Sequence, residues 1–413
     1  MNKVNPFTPN SPINRGTFAG RYEEIEAIDK GLYQANNGNP THILLVGERG
    51  IGKTSLLYVS EIFAKGELNW SGGKHNFLVV RLNLNDKIGL VDFAIILAKA
   101  IKRQIDIEHP TLTFVKKALE ILSRLEVQGL SYKKEKSSIS NEEEFIQDFI
   151  YSIADTIKSI RDPKSSTESK DGLVILIDEA DKASKELNLG SFLKNLSENL
   201  VAENANHILF IVSGLPGMRK MLTDSHESSL RLFEEHYLGP LSKEDTKKVI
   251  KQGLDDNIEK NSKENIKIND DAQEAIYVFS EGYPHFVQQI GYSVFEENND
   301  DVISIEDFNK SYAKALIQIG SRFYYKPFYQ DITAETQRQI LRIMAEKWNG
   351  WITRGEIKNK FQGKETALTN GLKALRDKAI IISKEGVKGE YRLQWASFAL
   401  WIKLQGGTDE DSL

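Results

Sequence analysis

A glycine-rich segment with the sequence GERGIGKT spans residues 47–54. Gly47, Gly50 and Gly52 let successive backbone N–H groups turn inward and form a nest for a polyphosphate. Lys53 adds a mobile positive charge at the outer phosphates, and the Thr54 hydroxyl is a candidate ligand for Mg²⁺. The segment predicts a phosphate loop that binds ATP, to which we also assign its other members and the next residue: Glu48, Arg49, Ile51 and Ser55.

Two acidic residues follow the apolar run at 173–177. Because Mg²⁺ at a phosphate loop needs a carboxylate from a neighbouring strand, Asp178 is a candidate ligand, directly or through water. Glu179 is then the candidate base that orients the attacking water. An apolar run that ends in two acids is also compatible with a plain surface turn. Combined with the phosphate loop, the pair predicts Mg²⁺-dependent hydrolysis of ATP.

Two further polar residues are candidates for contacts with the outer phosphate. Ser213 ends the apolar run at 207–212, although serine is also a common turn former. Arg231 is a candidate arginine finger that acts on a neighbouring subunit, and a solvated helical arginine is the alternative.

The elements around these residues alternate between strands and helices. Apolar runs predict buried strands at 42–46, 77–84, 173–177 and 207–212, and apolar residues at helical spacing predict helices at 23–33, 54–64 and 90–105. This alternation implies an α/β fold with a parallel sheet, on which ligands gather at the carboxyl ends of the strands. The phosphate loop, Asp178, Glu179 and Ser213 all fall at such ends.

A chain of 413 residues is too long for a single hydrophobic core, so we expect several further segments outside this sheet. Helical patterns beyond the last strand predict a helical lid, and three helices, a hairpin and a closing helix resemble a winged helix. About 125 residues separate the phosphate loop from Asp178, which predicts a helical insertion. The predicted divisions are an arm (1–16), an ATPase core (17–240) with its insertion (about 106–170), a lid (241–330), a winged helix (331–404) and a flexible tail (405–413).

The composition excludes several other classes of protein. The chain contains no cysteine, which excludes disulfides, thiolate zinc sites and cysteine nucleophiles. Its seven histidines are scattered without the helical spacing of a zinc site. Neither a signal peptide nor a run of roughly 20 apolar residues is present, so we predict a cytoplasmic protein without membrane association.

These motifs together resemble AAA+ ATPases of the origin-recognition and archaeal-ATPase type, and the related STAND signalling ATPases. The resemblance rests on the phosphate loop, on IDEA at 177–180, on the strand ending in Ser213 and on FAGRYEE at 18–24. It implies that Arg21 lies beside the nucleotide. The preceding segment, Asn5-Pro6-Phe7, resembles the strip that lies near the adenine in the family, which implies a contact of Phe7 with ATP.

The predicted lid departs from the origin-recognition pattern. It carries Gly282-Tyr283-Pro284-His285 where those proteins place a sensing arginine. This Gly-x-Pro resembles the STAND pattern, which implies that Pro284 contacts the nucleotide. The alternative is that Pro284 serves only as the first residue of a helix, where its missing N–H costs nothing.

The predicted winged helix is the only basic module. Residues 331–404 contain 14 Lys and Arg against 8 Asp and Glu, whereas the whole chain has a net charge of −5. A basic winged helix suits phosphate contacts on duplex DNA, although the same fold often binds protein instead. The aromatic run at 323–329 is read as a packed linker or as a base-stacking surface. Candidate DNA contacts are Lys364, Lys373, Arg376, Lys384 and Lys388.

Two functions follow from these observations. In the first, the protein is an ATP-hydrolysing switch whose ATP or ADP state controls self-association and a protein partner, in signalling or anti-phage defence. In the second, it is a DNA-acting initiator, loader or transposition-type ATPase. A nucleotide bound without hydrolysis is a third possibility, and Glu179 argues against it.

Overall fold

The computed structural model describes residues 4–11, 18–70, 73–108, 139–162, 169–261, 266–348, 350–378, 380–384 and 386–406. The chain divides into two compact units. The core unit comprises residues 20–239, and the second unit comprises residues 1–19 together with 240–413. Much of the predicted insertion (109–138 and 163–168) and most of the predicted tail (407–413) lie outside the described residues.

The core unit is built on a five-stranded parallel sheet. Its strands are ordered β2-β3-β4-β1-β5 across the sheet. The central strands β1, β3 and β4 are buried along their whole length, which explains their continuous apolar sequences. The bounds are β1 His42–Gly47, β2 Leu78–Asn83, β3 Leu173–Asp178, β4 Ile208–Gly214 and β5 Phe233–Leu238.

The fifth strand was not predicted from the sequence. It has the sequence FEEHYL and lies at the edge of the sheet, beside β1. Only its first and last residues, Phe233 and Leu238, are buried. An edge strand that exposes most of its side chains has no continuous apolar run, and this explains the omission.

Helices cover both faces of this sheet. On one face α1 and α2 pack on the strands, and on the other α3, α4 and α5 enclose a large apolar core with the alternate strand residues. Short 3₁₀ turns follow β3 (Ala180–Lys182) and precede β5 (Ser229–Leu232). The helices are α1 Tyr22–Asn36, α2 Lys53–Ala64, α3 Leu90–Glu108, α4 Ile139–Arg161, α5 Leu189–Ala202 and α6 Met218–Ser225.

The second unit begins with four helices that correspond to the predicted lid. A two-stranded parallel sheet joins β6 (Lys267–Ile268) to β7 (Val302–Ile303), so the expectation of an all-helical lid is corrected. Strands of two residues are too short to give a periodic signal. The helices are α7 Lys243–Asn261, α8 Asp270–Ser280, α9 Pro284–Glu297 and α10 Ile305–Ile319.

A π-helical stretch follows α10 and contains the predicted aromatic linker. Its segments are Gly320–Tyr324 and Lys326–Asp331. Tyr324 and Phe328 are buried and contact the rings of Phe398 and Trp401. These two rings are therefore packed inside the unit and do not form a base-stacking surface.

The end of the second unit contains four helices and a three-stranded antiparallel sheet. The predicted helices and hairpin are present, and the short strand β8 was not predicted. The strand order is β8-β10-β9. The last helix continues through Gly406, one residue beyond the predicted start of the tail. The elements are α11 Glu335–Ala345, β8 Ile352–Thr353, α12 Arg354–Lys360, α13 Glu365–Asp377, β9 Ile381–Ser383, β10 Glu390–Leu393 and α14 Ala396–Gly406. None of the described helices is long and apolar enough to cross a membrane.

Candidate functional site

The phosphate loop connects β1 to α2 in the core unit. Gly50 and Gly52 have φ angles of +80° and +99°, in the left-handed region that glycine adopts without strain. A Cβ atom at Gly47 would lie 2.7 Å from Ile51 Cγ2, and Ile51 is buried. The three glycines are therefore required by the backbone of the loop itself. The other predicted loop residues differ in exposure, since Glu48 is half-buried, Arg49 is exposed and Ser55 is buried.

The ammonium group of Lys53 lies against the loop. Its Nζ atom donates hydrogen bonds to the carbonyl oxygens of Gly47, at 2.7 Å, and of Glu48, at 2.9 Å. Burial lowers the pKa of Lys53, and the nearby carboxylates of Asp181 and Asp178 oppose this shift. Lys53 is the first residue of α2, and these contacts hold its positive charge against the loop.

Asp178 connects three of the predicted site residues. Its carboxylate is 4% exposed. Thr54 Oγ1 donates to Oδ2 at 2.7 Å, and Ser213 Oγ donates to Oδ1 at 2.6 Å. The backbone N–H of Glu179 also donates to Oδ1, at 2.9 Å. The ends of β3 and β4 and the start of α2 therefore meet at one carboxylate.

The oxygen atoms at this point fit a magnesium ion. A hydroxyl oxygen and a carboxylate oxygen, from Thr54 and Asp178, lie side by side at the mouth of the loop. Mg²⁺ binds oxygen ligands and usually takes only one or two from protein, with the others from water and phosphate. The described residues contain no group of three or more His, Cys, Asp or Glu that could hold a metal. The two protein oxygens of Thr54 and Asp178 suit an ion whose other ligands are water and phosphate.

Glu179 adopts a left-handed backbone conformation, with φ 56° and ψ 36°. This conformation is uncommon for a residue other than glycine and is concentrated at functional sites. About half of its side chain is exposed, and its Oε1 atom lies 2.7 Å from Lys182 Nζ. The carboxylate is accessible to water beside the buried Asp178. Its role as the base stays a prediction.

Three charged residues at the site were missed by the sequence analysis. Lys182 pairs with Glu179, and Asp181 Oδ1 accepts a hydrogen bond of 2.9 Å from the N–H of Leu215 after β4. Arg81, on β2, lies with Nη2 3.6 Å from Asp178 Oδ2. Only Arg81 had a sequence signal, because it is a charged residue inside an otherwise apolar strand.

Arg21 links the phosphate loop to the end of the core unit. Its guanidinium donates to the carbonyl oxygen of Ile51, at 3.1 Å, and to that of Gly239. The residue precedes α1 with a left-handed φ of 61°. Arg21 is therefore beside the loop, and its direct contact with ATP stays a prediction.

Phe7 and Pro284 belong to the second unit. Phe7 is 2% exposed, and a Cβ atom at Gly291 of α9 would lie 2.7 Å from its ring. The Thr8 N–H donates to Gln288 Oε1 at 2.9 Å, which fixes the arm on α9. The ring of Phe7 thus has a packing role that was not predicted. Its contact with adenine stays a prediction.

Pro284 is the buried first residue of α9, the position at which proline is compatible with a helix. Gly282, two residues earlier, has a φ of +70°, and a Cβ atom there would lie 2.3 Å from the carbonyl oxygen of Leu241. The N–H of Leu241 donates to the carbonyl of Gly282 at 2.8 Å. The Gly-x-Pro segment therefore packs against Leu241, near the start of the 240–413 part of the second unit. A contact of Pro284 with nucleotide stays a prediction.

The remaining predicted residues are on the surface. Arg231 is exposed on the 3₁₀ turn before β5, not on an α-helix, and its action on a neighbouring subunit stays a prediction. Lys384 is half-buried, and its Nζ lies 2.7 Å from Glu390 Oε2. The other four candidate DNA contacts are exposed: Lys364, Lys373, Arg376 and Lys388.

The parallel sheet and the phosphate loop define a P-loop ATPase core. Residues 17–211 match the family model of the AAA ATPase domain. This part of the chain is therefore an AAA ATPase domain, and the protein is an ATPase. No curated protein matches the sequence.

The solved structures with a similar fold include the following two. The Walker-type ATPase PABY2304 of Pyrococcus abyssi is 15% identical with a TM-score of 0.56, over 94% of this chain and 96% of that one. The ORC2 protein of Aeropyrum pernix, in its ADP form, is 14% identical with a TM-score of 0.52, over 97% of each chain. These likenesses concern the fold, an AAA+ core followed by a helical C-terminal region.

Proposed function

We propose that the protein is a Mg²⁺-dependent ATPase switch whose nucleotide state controls self-association and the binding of a protein partner. The observation that carries the proposal is the position of Arg21, which hydrogen-bonds to Ile51 in the phosphate loop and to Gly239. Residues 20 and 239 are the two ends of the core unit. We infer that a change at the loop reaches, through Arg21, both segments that lead to the second unit.

The chemistry of the switch is assigned to the residues around Asp178. The loop N–H groups and Lys53 would bind the phosphates, and Thr54 and Asp178 would hold Mg²⁺, which would supply neutralising charge at the outer phosphates. Glu179 takes the proton of the attacking water. The Ser213 hydroxyl, which is hydrogen-bonded to Asp178, is the candidate sensor of the outer phosphate. Arg231, exposed before β5, is available to a neighbouring subunit.

The proposed signalling or anti-phage role rests on the Gly-x-Pro segment of the second unit. Gly282 holds the Gly-x-Pro segment against Leu241, only two residues after the end of the core unit. Pro284, which the STAND resemblance assigns to the nucleotide, is therefore tied to the start of this unit. This arrangement suits a protein in which hydrolysis resets a conformation.

The test of the switch is the native mass of the protein with ADP and with a non-hydrolysable ATP analogue, measured by light scattering. The wild type should change mass between the two nucleotides. Arg21→Met, saturated with either nucleotide, should keep one mass. Arg219→Met is the matched control, because Arg219 is an exposed arginine of the same unit that pairs with Glu235. A wild-type mass that is the same with both bound nucleotides would contradict the proposed switch.

A second function, duplex DNA binding by an initiator or loader, is supported by the surface of α13. Lys373 and Arg376 are exposed one helical turn apart, and Lys364 precedes the helix. We interpret the three helices and hairpin around α13 as a winged helix, with this helix towards DNA. The same module is otherwise a protein-binding surface.

DNA binding is tested with the double variant Lys373→Glu, Arg376→Glu. Wild-type protein should bind a duplex oligonucleotide with an affinity that falls steeply with salt, and the variant should lose this binding. The control is Lys310→Glu, Lys314→Glu, which reverses two exposed charges on α10 of the same unit. Equal binding by all three proteins would exclude the winged helix as the DNA surface.

A further inference from the structure

Arg81 is a charged residue in the middle of β2, a strand of otherwise apolar character. It is paired in register with Leu176 of β3, two residues before Asp178. Because side chains alternate between the faces of a sheet, Arg81, Leu176 and Asp178 share one face. This is the face on which α2 packs, with Thr54 above Asp178. The fold therefore directs the arginine towards the proposed magnesium site.

The guanidinium of Arg81 is enclosed between two groups. Its Cζ atom lies 3.7 Å from the centroid of the Tyr58 ring, on α2 one turn after Thr54. Its Nη2 atom lies 3.6 Å from Asp178 Oδ2, the oxygen that accepts the Thr54 hydroxyl. A distance of 3.6 Å exceeds that of a hydrogen bond, so this contact is an electrostatic pair. The stacked ring limits where the guanidinium can move.

One nitrogen of Arg81 is not accounted for by this arrangement. Nη1 is buried and has no hydrogen-bond partner within the described parts of the chain. A buried N–H group without a partner costs stability, and native proteins contain few of them. An apolar residue at this position would avoid that cost and suit the strand. The cost is explained if the arginine serves the carboxylate beside it.

We propose that Arg81 is a positioning residue of the ATPase site, an inference that rests on the proposed function. It holds the Asp178 carboxylate in the orientation that would ligate Mg²⁺, and Nη1 would donate to an oxygen that enters the site only with the bound ion. Tyr58 fixes the plane of the guanidinium. The arginine thereby connects β2, which carries none of the predicted site residues, to the metal ligand.

The test compares nucleotide affinity with and without magnesium. Binding of a fluorescent ATP analogue to wild type, Arg81→Met and Arg81→Lys is titrated in Mg²⁺ and in EDTA. Residues that orient a metal ligand typically contribute about 10- to 100-fold to metal affinity. Arg81→Met should therefore bind like wild type in EDTA and lose at least about tenfold of the tightening by Mg²⁺. Arg81→Lys, which keeps the charge but not the plane, should lose less.

Two further variants make the result decisive. Tyr58→Leu should reduce the tightening by Mg²⁺ in the same direction, because it removes the ring under the guanidinium. Arg219→Met, which removes an exposed ion pair with Glu235, should change nothing. If Arg81→Met does not fold, Arg81→Lys and Tyr58→Leu carry the test, with thermal melting as the check of folding.

The outcomes separate this inference from the proposed function. Unchanged tightening by Mg²⁺ in every folded variant of Arg81 and Tyr58 would overturn the role of Arg81 and leave the ATPase site intact. A wild-type protein that binds the analogue in neither condition would instead contradict the nucleotide site. A loss of affinity that is equal in Mg²⁺ and EDTA would assign Arg81 to the architecture of the loop and also overturn the proposal.

Discussion

Thr54 and Asp178 are joined by a hydrogen bond of 2.7 Å between the threonine hydroxyl and the aspartate carboxylate. The bond connects the first turn of α2 to the end of β3. It unites the two candidate metal ligands that the sequence places far apart. The proposed nucleotide chemistry is centred on this contact.

Lys53→Ala should abolish nucleotide binding. The lysine supplies the mobile charge of the loop, and hydrogen bonds to charged groups contribute about 1.5–3 kcal/mol each. We expect affinity for ATP to fall by roughly 100-fold or more in isothermal titration calorimetry. The control is Lys65→Ala, just after the same helix, where the lysine pairs with Glu61. Nucleotide affinity that survives in Lys53→Ala would contradict the assignment of the loop.

Glu179→Gln should stop turnover while nucleotide binding is preserved. The amide is close in size to the carboxylate but cannot take a proton from water. General base catalysis contributes about 10²- to 10⁴-fold, so steady-state ATP hydrolysis should fall by at least about 100-fold. Lys182→Gln, which removes the partner of Glu179, should have a smaller effect. Hydrolysis at the normal rate in Glu179→Gln would show that another group is the base.

Gly291→Ala should destabilise the second unit and release the arm. The new Cβ atom would lie 2.7 Å from the ring of Phe7. Overpacking of this kind costs about 1–3 kcal/mol, so we expect a lower melting temperature and easier proteolysis near the N-terminus. Gly355→Ala is the control, because its Cβ atom would meet nothing closer than 3.9 Å. Equal melting temperatures for the two variants would contradict the packing of Phe7 on α9.

Stability should fall between pH 7 and pH 5 because of His42. Burial lowers the pKa of His42 from 6.5 to about 3. Phe210 N–H donates to Nδ1 at 3.3 Å, and Nε2 lies 3.2 Å from Ser197 Oγ, which suits a neutral ring. Between the two pKa values the unfolded chain binds a proton that the folded chain does not, so acid favours unfolding. The loss at pH 5 is roughly 2 kcal/mol.

The measurement is urea unfolding of wild type and His42→Gln at pH 7 and pH 5. The variant is expected to be less stable at pH 7 and to lose less stability on acidification. Equal acid sensitivity of the two proteins would assign the pH dependence to other groups.

The elements that could be predicted are those that leave a pattern among neighbouring residues of the sequence. Strands β1, β3 and β4 are continuous apolar runs and β2 is interrupted only by Arg81, and the loop and Asp178 follow such runs directly. Strand β5 was missed because an edge strand exposes polar side chains. The sequence placed the loop, Asp178 and Ser213 at the carboxyl ends of strands, and parallel strands end at one edge of a sheet.

Arg81 illustrates what the sequence analysis did not reach. Its proximity to Asp178 depends on the register of β2 with β3, which no local pattern encodes. The packing of Phe7 against Gly291 depends in the same way on a contact between distant segments. Such contacts are set by tertiary structure and leave no local pattern in the sequence.

The most direct test of the switch is the native mass of Glu179→Gln and wild type during incubation with ATP. We predict that the wild type first adopts the mass of the ATP form and then, as ATP is consumed, the mass of the ADP form. Glu179→Gln should stay in the ATP form throughout and adopt the other mass only when ADP is supplied. A single mass for both proteins with either bound nucleotide would contradict control of self-association by the nucleotide.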